Sequence, residues 1–245
     1  MKKVAEITVL FWIMKICATT LGETAGDLVS MTLNVGYGAS SMILIGLFLV
    51  TLGLQLHATR YRPLLYWSVI VTTSTAGTTL SDYLDRTLEL GYAKGSMILI
   101  ALLAAILAFW RSREPSLSIE NISTRRVEVF FWSAILVSNT LGTALGDFLA
   151  DSSGLGFLGG AALIAGLLVV IAIAHYRTTI SKVFLFWAAF VLTRPFGAIF
   201  GDLLTKPPEH GGFGLGTIGS SLVLASILAI LIVHAVAKER RAINV

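Results

Sequence analysis

Eight apolar stretches, each close to 20 residues long, follow one another along the chain and are separated by short polar segments. A helix of about 20 apolar residues is long enough to cross the hydrocarbon core of a bilayer. The pattern predicts helices over residues 7–30, 39–58, 64–86, 94–111, 128–150, 157–176, 183–204 and 214–236. We therefore expect an all-α integral membrane protein with eight transmembrane helices in a single membrane domain, residues 1–245.

The composition supports this class. Only 13% of the residues are charged and the mean hydropathy is +0.83, whereas a soluble domain carries about 25% charged residues. The one cysteine, Cys17, cannot form an intramolecular disulfide. The formal net charge of +4 does not indicate nucleic acid, because the basic residues lie in short loops where they set membrane topology. We expect the bilayer as a partner, and a homo-oligomer is compatible with the sequence.

A four-fold internal repeat is the clearest pattern in the chain. Each unit begins with an aromatic residue followed by tryptophan, and these tryptophans are Trp12, Trp67, Trp132 and Trp187. A glycine follows each tryptophan after ten residues, and an aspartate follows after fifteen: Asp27, Asp82, Asp147 and Asp202. The tryptophan spacings of 55, 65 and 55 residues indicate a nested duplication into two four-helix halves, residues 1–118 and 119–245. The tryptophans are expected near the cytoplasmic interface, where amphipathic rings collect.

The distribution of lysine and arginine predicts the topology. One side of the expected membrane holds Lys2, Lys3, Arg60, Arg62, Arg111, Arg113, Arg125, Arg126, Arg177, Lys182, Lys238, Arg240 and Arg241. The opposite side holds only Arg86, Lys94 and Lys206. The positive-inside rule then places both termini in the cytoplasm. Since each unit has two spans, all four units enter from the cytoplasm as parallel repeats about an axis along the membrane normal.

Acidic residues recur within the expected membrane. Each repeated aspartate lies roughly 22 Å along the helix from its tryptophan, which places it in the outer half of the bilayer. Glu23, Asp85 and Asp151 add further carboxylates close to three of these aspartates. The bases on the same helices are Lys15, Arg86, Arg194 and Lys206. Seven acids against four bases leave three formal negative charges, and a net acidic interior attracts cations.

The units differ in the residue four positions after the aspartate, which is Met31, Arg86, Asp151 and Lys206 in turn. Units 2 and 4 can pair their aspartate with a base on the same helix, whereas units 1 and 3 have no base at that position. We therefore predict that the pairs Glu23 with Asp27 and Asp147 with Asp151 are uncompensated and form the core of a metal site. Asp82 and Asp202 are either further ligands or structural ion pairs.

Several other residues are candidates for accessory roles. Thr78 and Thr143 offer hydroxyl oxygens, Asp85 another carboxylate, and Met31 a thioether that would favour a transition metal. Arg194 and Lys15 are candidate counter-ions. The glycines are expected to act as small-x-x-x-small packing positions. The chain has no phosphate-binding glycine loop and no recognisable nucleophile–base set, so we expect neither an enzyme nor a resident cofactor.

The four motifs LGETAGD at 21–27, TAGTTLSD at 75–82, LGTALGD at 141–147 and FGAIFGD at 196–202 carry a resemblance. They resemble a family of small bacterial inner-membrane proteins described only as uncharacterised membrane-anchored proteins, which implies a location in the inner membrane. A looser similarity is to small exporters of manganese or calcium, whose duplicated units carry Glu-x-Gly-Asp. Here the motif that begins at Glu23 is one residue longer, and Leu28 interrupts its continuation.

The acidic repeats favour a secondary transporter of a divalent metal cation, with Mn²⁺ first among the candidates. By analogy with those exporters we expect export, with proton exchange as the coupling reaction. Two alternatives stay open at this stage. One is a proton-coupled exporter of an organic cation, and the other is a membrane scaffold that transports nothing.

Overall fold

The computed structural model describes residues 3–118, 122 and 124–243, with side chains as far as residue 239. Within this part of the chain, the main elements are eight long α-helices, and short π-helical and 3₁₀ turns lie between some of them. They are α1 Val9–Asp27, α2 Tyr37–His57, α3 Pro63–Asp82, α4 Tyr92–Arg113, α5 Arg125–Asp147, α6 Gly156–Arg177, α7 Lys182–Thr205 and α8 Thr217–Ile243. The all-helical prediction is confirmed. Lys2 and the side chains of Arg240 and Arg241 lie outside the described residues.

Six of these helices, within the described residues, are long and apolar enough to cross a membrane: α2, α4, α5, α6, α7 and α8. The chain therefore has the character of a multi-pass membrane protein. α1 and α3 fall short of this standard, because both are rich in threonine and other polar residues. Those polar residues face the interior of the bundle, where nearly all of them are buried.

The helices form an inner ring and an outer layer. α1, α3, α5 and α7 make up the inner ring, and each packs against the next, with α7 closing on α1. The outer helices each pack on the inner helix of the following unit: α2 on α3, α4 on α5, α6 on α7, and α8 on α1. Outer helices expose rows of large apolar side chains, for example Met42, Leu49 and Val50 on α2. Such a surface is suited to lipid.

Glycines allow the inner helices to approach one another closely. The glycine ten residues after each tryptophan faces the residue seven after the tryptophan of the next unit. These pairs are Gly22 with Ser74, Gly77 with Asn139, Gly142 with Arg194, and Gly197 with Thr19. A methyl group on Gly77 would lie 3.0 Å from the backbone carbon of Asn139, closer than packed atoms come. The prediction that these glycines are packing positions is confirmed.

An aromatic layer closes one end of the inner ring. In each unit the aromatic residue before the tryptophan packs on the tryptophan of the next unit. The pairs are Phe11 with Trp67, Tyr66 with Trp132, Phe131 with Trp187, and Phe186 with Trp12, at centroid distances of 5.7, 5.6, 6.2 and 5.8 Å. Trp67, Trp132 and Trp187 are buried. The structure therefore assigns these three a packing role inside the bundle. Their position near the cytoplasmic interface stays a prediction.

Candidate cation site

One stripe of each inner helix faces the centre of the ring. Residues four apart lie on the same face of a helix, and on α1 this stripe contains Lys15, Thr19, Glu23 and Asp27. All four of these residues are buried. In the first three units the α-helix ends at the repeated aspartate and continues as a π-helical turn, for example Leu28–Thr32 after Asp27. Such turns often occur at functional sites.

Arg194 lies at the centre of the ring. Its two terminal nitrogens each donate to Oε2 of Glu23 on α1 at 3.0 Å. One of them also donates to the hydroxyls of Thr78 on α3 and Thr143 on α5, at 2.5 and 2.7 Å. The guanidinium on α7 is thus bonded to all three other inner helices. The predicted counter-ion role of Arg194 gains a specific partner, Glu23.

The four repeated aspartates form a second layer, and two bases join them in pairs. Arg86 bonds Asp82 on its own helix through Nε at 2.9 Å and Asp147 on the next inner helix through Nη2 at 3.3 Å. Lys206 contacts Asp202 on its own helix at 3.3 Å and Asp27 on α1 at 3.1 Å. The four aspartates are buried, and the two bases are partly exposed at the end of the ring away from the aromatic layer.

These contacts correct one prediction. Glu23, Asp27 and Asp147 are not uncompensated, because bases from other units pair with each of them. The prediction compared residues within one helix, whereas every base here also reaches a neighbouring helix. Asp151 is exposed on the π-helical turn Phe148–Ser152 and lies outside the buried cluster. The expected pair of Asp147 with Asp151 therefore does not form a buried core.

Three of the predicted ligands come together in a new combination. Glu23, Asp147 and Asp202 each offer a carboxylate oxygen within 4.8 Å of the others, and all three residues are buried. They belong to α1, α5 and α7, so no single helix or half contains the set. Asp27 and Asp82 occupy the same aspartate layer and are held by Lys206 and Arg86.

The accessory candidates separate into two groups. Thr78 and Thr143 lie at the centre, 3.2 and 3.4 Å from Oε2 of Glu23. Met31 is exposed and offers the cluster no thioether. Asp85 accepts a hydrogen bond from Ser81 at 3.3 Å and packs against Gly95, away from the central carboxylates. The prediction of a thioether and an additional carboxylate in the site has no geometric support.

Lys15 occupies a separate position on the axis, between the aromatic layer and Arg194. Its amine lies 4.2 Å above the ring of Phe190 and has no hydrogen-bond partner among the described residues. The cluster proper therefore contains Glu23 and four aspartates against Arg86, Arg194 and Lys206. Five acids and three bases leave two formal negative charges.

Two neighbours of the cluster were not predicted from the sequence. Tyr37 and Tyr92, which follow the glycines at the start of α2 and α4, both place their rings beside Arg86, at 5.9 and 5.7 Å. The hydroxyl of Tyr37 also accepts a hydrogen bond from Arg86 at 3.4 Å. In the sequence both tyrosines follow a glycine, a pattern that indicates a turn and does not point to a contact with Arg86.

The four repeats of the chain match the model of a known protein family. The family model described as Repeat of Unknown Function (DUF347) matches four segments, residues 10–61, 65–116, 130–181 and 185–241. The chain belongs to this family. Each matched segment contains most of one inner and one outer helix. No curated protein and no solved structure matches the chain.

Proposed function

We propose that this protein is a secondary transporter of a hard divalent cation. The observation that carries the proposal is the set of carboxylates of Glu23, Asp147 and Asp202, which converge within 4.8 Å inside a membrane-type bundle. Ionisable residues within membrane segments are costly and usually mark the path of an ion or substrate. Converging buried carboxylates also repel one another unless a cation or a proton lies between them.

The ligand chemistry favours a hard ion. Carboxylates, with the hydroxyls of Thr78 and Thr143 beside them, form an all-oxygen environment. Such ligands suit Mg²⁺, Ca²⁺ and Mn²⁺. Mn²⁺ is the first ion to test, by analogy with the small exporters. Met31 is exposed, so the site has no thioether ligand that would favour Mn²⁺ over the other two ions.

The bases allow the site to exist in a metal-free state as well as a metal-bound state. Without an ion, Arg194 and Lys206 neutralise Glu23 and Asp202. An arriving divalent cation competes with these bases for the same oxygens and displaces them. Protonation of the carboxylates then releases the ion, which couples transport to proton exchange. On the analogy with the exporters we propose export as the direction.

The proposal includes a membrane arrangement. We infer that α1 and α3 also cross the bilayer, because they share the inner ring with α5 and α7 and are shielded by outer helices. The four two-helix units would then be parallel repeats in two halves. The lysine and arginine distribution supports cytoplasmic termini, and the family resemblance supports the bacterial inner membrane.

The narrowness of the inner ring favours a metal ion over an organic cation. Gly22, Gly77, Gly142 and Gly197 each pack directly on a neighbouring inner helix, and even a methyl group there would collide. An organic cation would require these helices to separate. A scaffold without transport activity would need buried packing, but it would not need five carboxylates at the centre of the ring.

The test is cation flux into proteoliposomes that contain the purified protein. We expect Mn²⁺ flux for the wild type, and loss of flux for Asp147→Asn and for Asp202→Asn. Asp151→Asn is the matched control, because Asp151 is a carboxylate four residues from Asp147 but lies outside the cluster. Unchanged flux in both cluster variants would refute the site. No flux of Mn²⁺, Ca²⁺ or Mg²⁺ with the wild type would favour the scaffold.

A further inference from the structure

Two grooves of the bundle are equivalent by the internal repeat. One lies between α2 and α5, and the other lies between α4 and α7. They correspond because α4 follows α2 by 55 residues and α7 follows α5 by 55 residues. The α4–α7 groove is open to the outside and has a volume of about 550 Å³, within the range of roughly 300–1,000 Å³ that is usual for small-molecule sites. Its lining is apolar and includes Leu107, Leu117, Val183, Trp187, Val191 and Leu192.

The first groove is occupied by the protein's own N-terminal segment. The carbonyl of Lys3 accepts a hydrogen bond from Gln55 at the end of α2, at 3.2 Å. The amine of Lys3 pairs with Glu128 at the start of α5, at 2.8 Å, and Gln55 donates to the same carboxylate at 3.0 Å. Val4 and Ala5 are buried behind this anchor. A short chain therefore fills the α2–α5 position.

The second groove lacks the residues that hold such a segment. At an offset of 55 residues, Trp110 replaces Gln55 and Val183 replaces Glu128. A lysine would have no acceptor there, so the groove suits an apolar chain. Leu117 of the α4–α5 linker reaches one end, where its carbonyl accepts a hydrogen bond from Trp187 at 3.1 Å. Of the linker residues that the structure describes, Leu117 alone lines the groove.

The mouth of the α4–α7 groove is basic. Arg111 lies at the end of α4, one turn beyond the lining residue Leu107. Lys182 begins α7 next to the lining residue Ser181. Both basic side chains are exposed. The indole N–H of Trp110, which packs against Trp187 at 5.8 Å, has no acceptor among the described residues.

We propose that the α4–α7 groove is a binding site for an anionic phospholipid. One acyl chain lies in the apolar groove, and the phosphate lies against Arg111 and Lys182. Basic residues at the end of transmembrane helices are a recognised site for anionic headgroups. The lipid would occupy in the α4–α7 groove the position that Lys3, Val4 and Ala5 occupy in the α2–α5 groove.

Native mass spectrometry of the purified protein tests this site, with phosphatidylglycerol or phosphatidylcholine added after delipidation. We expect the wild type to retain one more phosphatidylglycerol than phosphatidylcholine per chain. Ala188→Trp, which fills the groove, should lose that lipid. Ala172→Trp makes the same change on the exposed face of α6 and should keep it. The mass of the retained molecule distinguishes a phospholipid from a free fatty acid.

A second variant covers the case in which Ala188→Trp does not fold. Arg111→Gln combined with Lys182→Gln changes only exposed side chains. It should remove the preference for phosphatidylglycerol while an acyl chain is still retained. Equal retention by Ala188→Trp and wild type would overturn the proposal, as would an unchanged preference in the double variant. Cation flux is not part of the readout, so this result does not depend on the proposed function.

Discussion

Both terminal nitrogens of Arg194 on α7 donate a hydrogen bond to the same oxygen of Glu23 on α1, at 3.0 Å each, and both side chains are buried. A buried pair of this kind gains Coulomb energy, but it also bears a desolvation penalty for two ions. Hydroxyls of Thr78 and Thr143 bond the same guanidinium. The centre of the bundle therefore depends on a polar network to which each inner helix contributes.

The first prediction concerns this pair. Glu23→Gln leaves the Arg194 guanidinium buried without its carboxylate. We expect a loss of about 3–5 kcal/mol in the free energy of unfolding, the usual effect of removing one partner from a buried ion pair. The measurement is chemical or thermal unfolding of the protein in detergent micelles.

The double variant Glu23→Gln with Arg194→Met provides the control. Since it removes both charges, it should be more stable than the sum of the two single changes predicts. The expected coupling energy lies between about 0.5 and 3 kcal/mol. Strict additivity would mean that the two side chains do not interact as the structure indicates.

The second prediction concerns Lys206, which holds Asp27 and Asp202 together. If this amine competes with a bound cation, Lys206→Met should raise the affinity for Mn²⁺, by roughly tenfold, which is about 1.4 kcal/mol. The same variant should be less stable in the absence of the ion. Titration calorimetry and melting curves with and without Mn²⁺ measure the two effects.

Lys94→Met is the matched control, because Lys94 carries the same charge but is exposed near the start of α4. It should leave the affinity for Mn²⁺ unchanged. An equal gain in both variants would indicate a general effect of net charge, and no gain for Lys206→Met would argue against competition at the carboxylates.

The repeat made much of this architecture predictable from sequence. Fixed offsets from the tryptophan identified the glycines, the aspartates and the helices that carry them. The pairing of charges was not predictable in the same way, because it depends on which helices are neighbours. Lys206 is 179 residues from Asp27 along the chain, yet it bonds that aspartate. Asp151 is exposed on the π-helical turn after Asp147, and the helical spacing rule does not anticipate such a turn.

The third prediction concerns the N-terminal segment. Lys3→Met removes the cation that pairs with Glu128, which is fully buried at the start of α5. Among the described residues, the carboxylate would then keep only its hydrogen bond from Gln55, so we expect a stability loss of about 3 kcal/mol or more. Combining Lys3→Met with Glu128→Gln should recover part of this loss. If Lys3→Met alone is as stable as wild type, the segment is not held by this ion pair.

The fourth prediction compares two glycines in helix interiors. Gly22 on α1 packs against both the side chain and the backbone of α3, and an added methyl would lie 3.0 Å from the carbonyl carbon of Ser74. Backbone atoms in a closed ring cannot move aside without displacing other helices, so Gly22→Ala should lower stability by about 1–3 kcal/mol. Gly46 on α2 has open space around it, and Gly46→Ala should be neutral or stabilising, because alanine has the higher helix propensity. Unfolding curves of the two variants, measured in the same detergent, decide the matter: similar effects would show that close contact between α1 and α3 does not depend on this glycine.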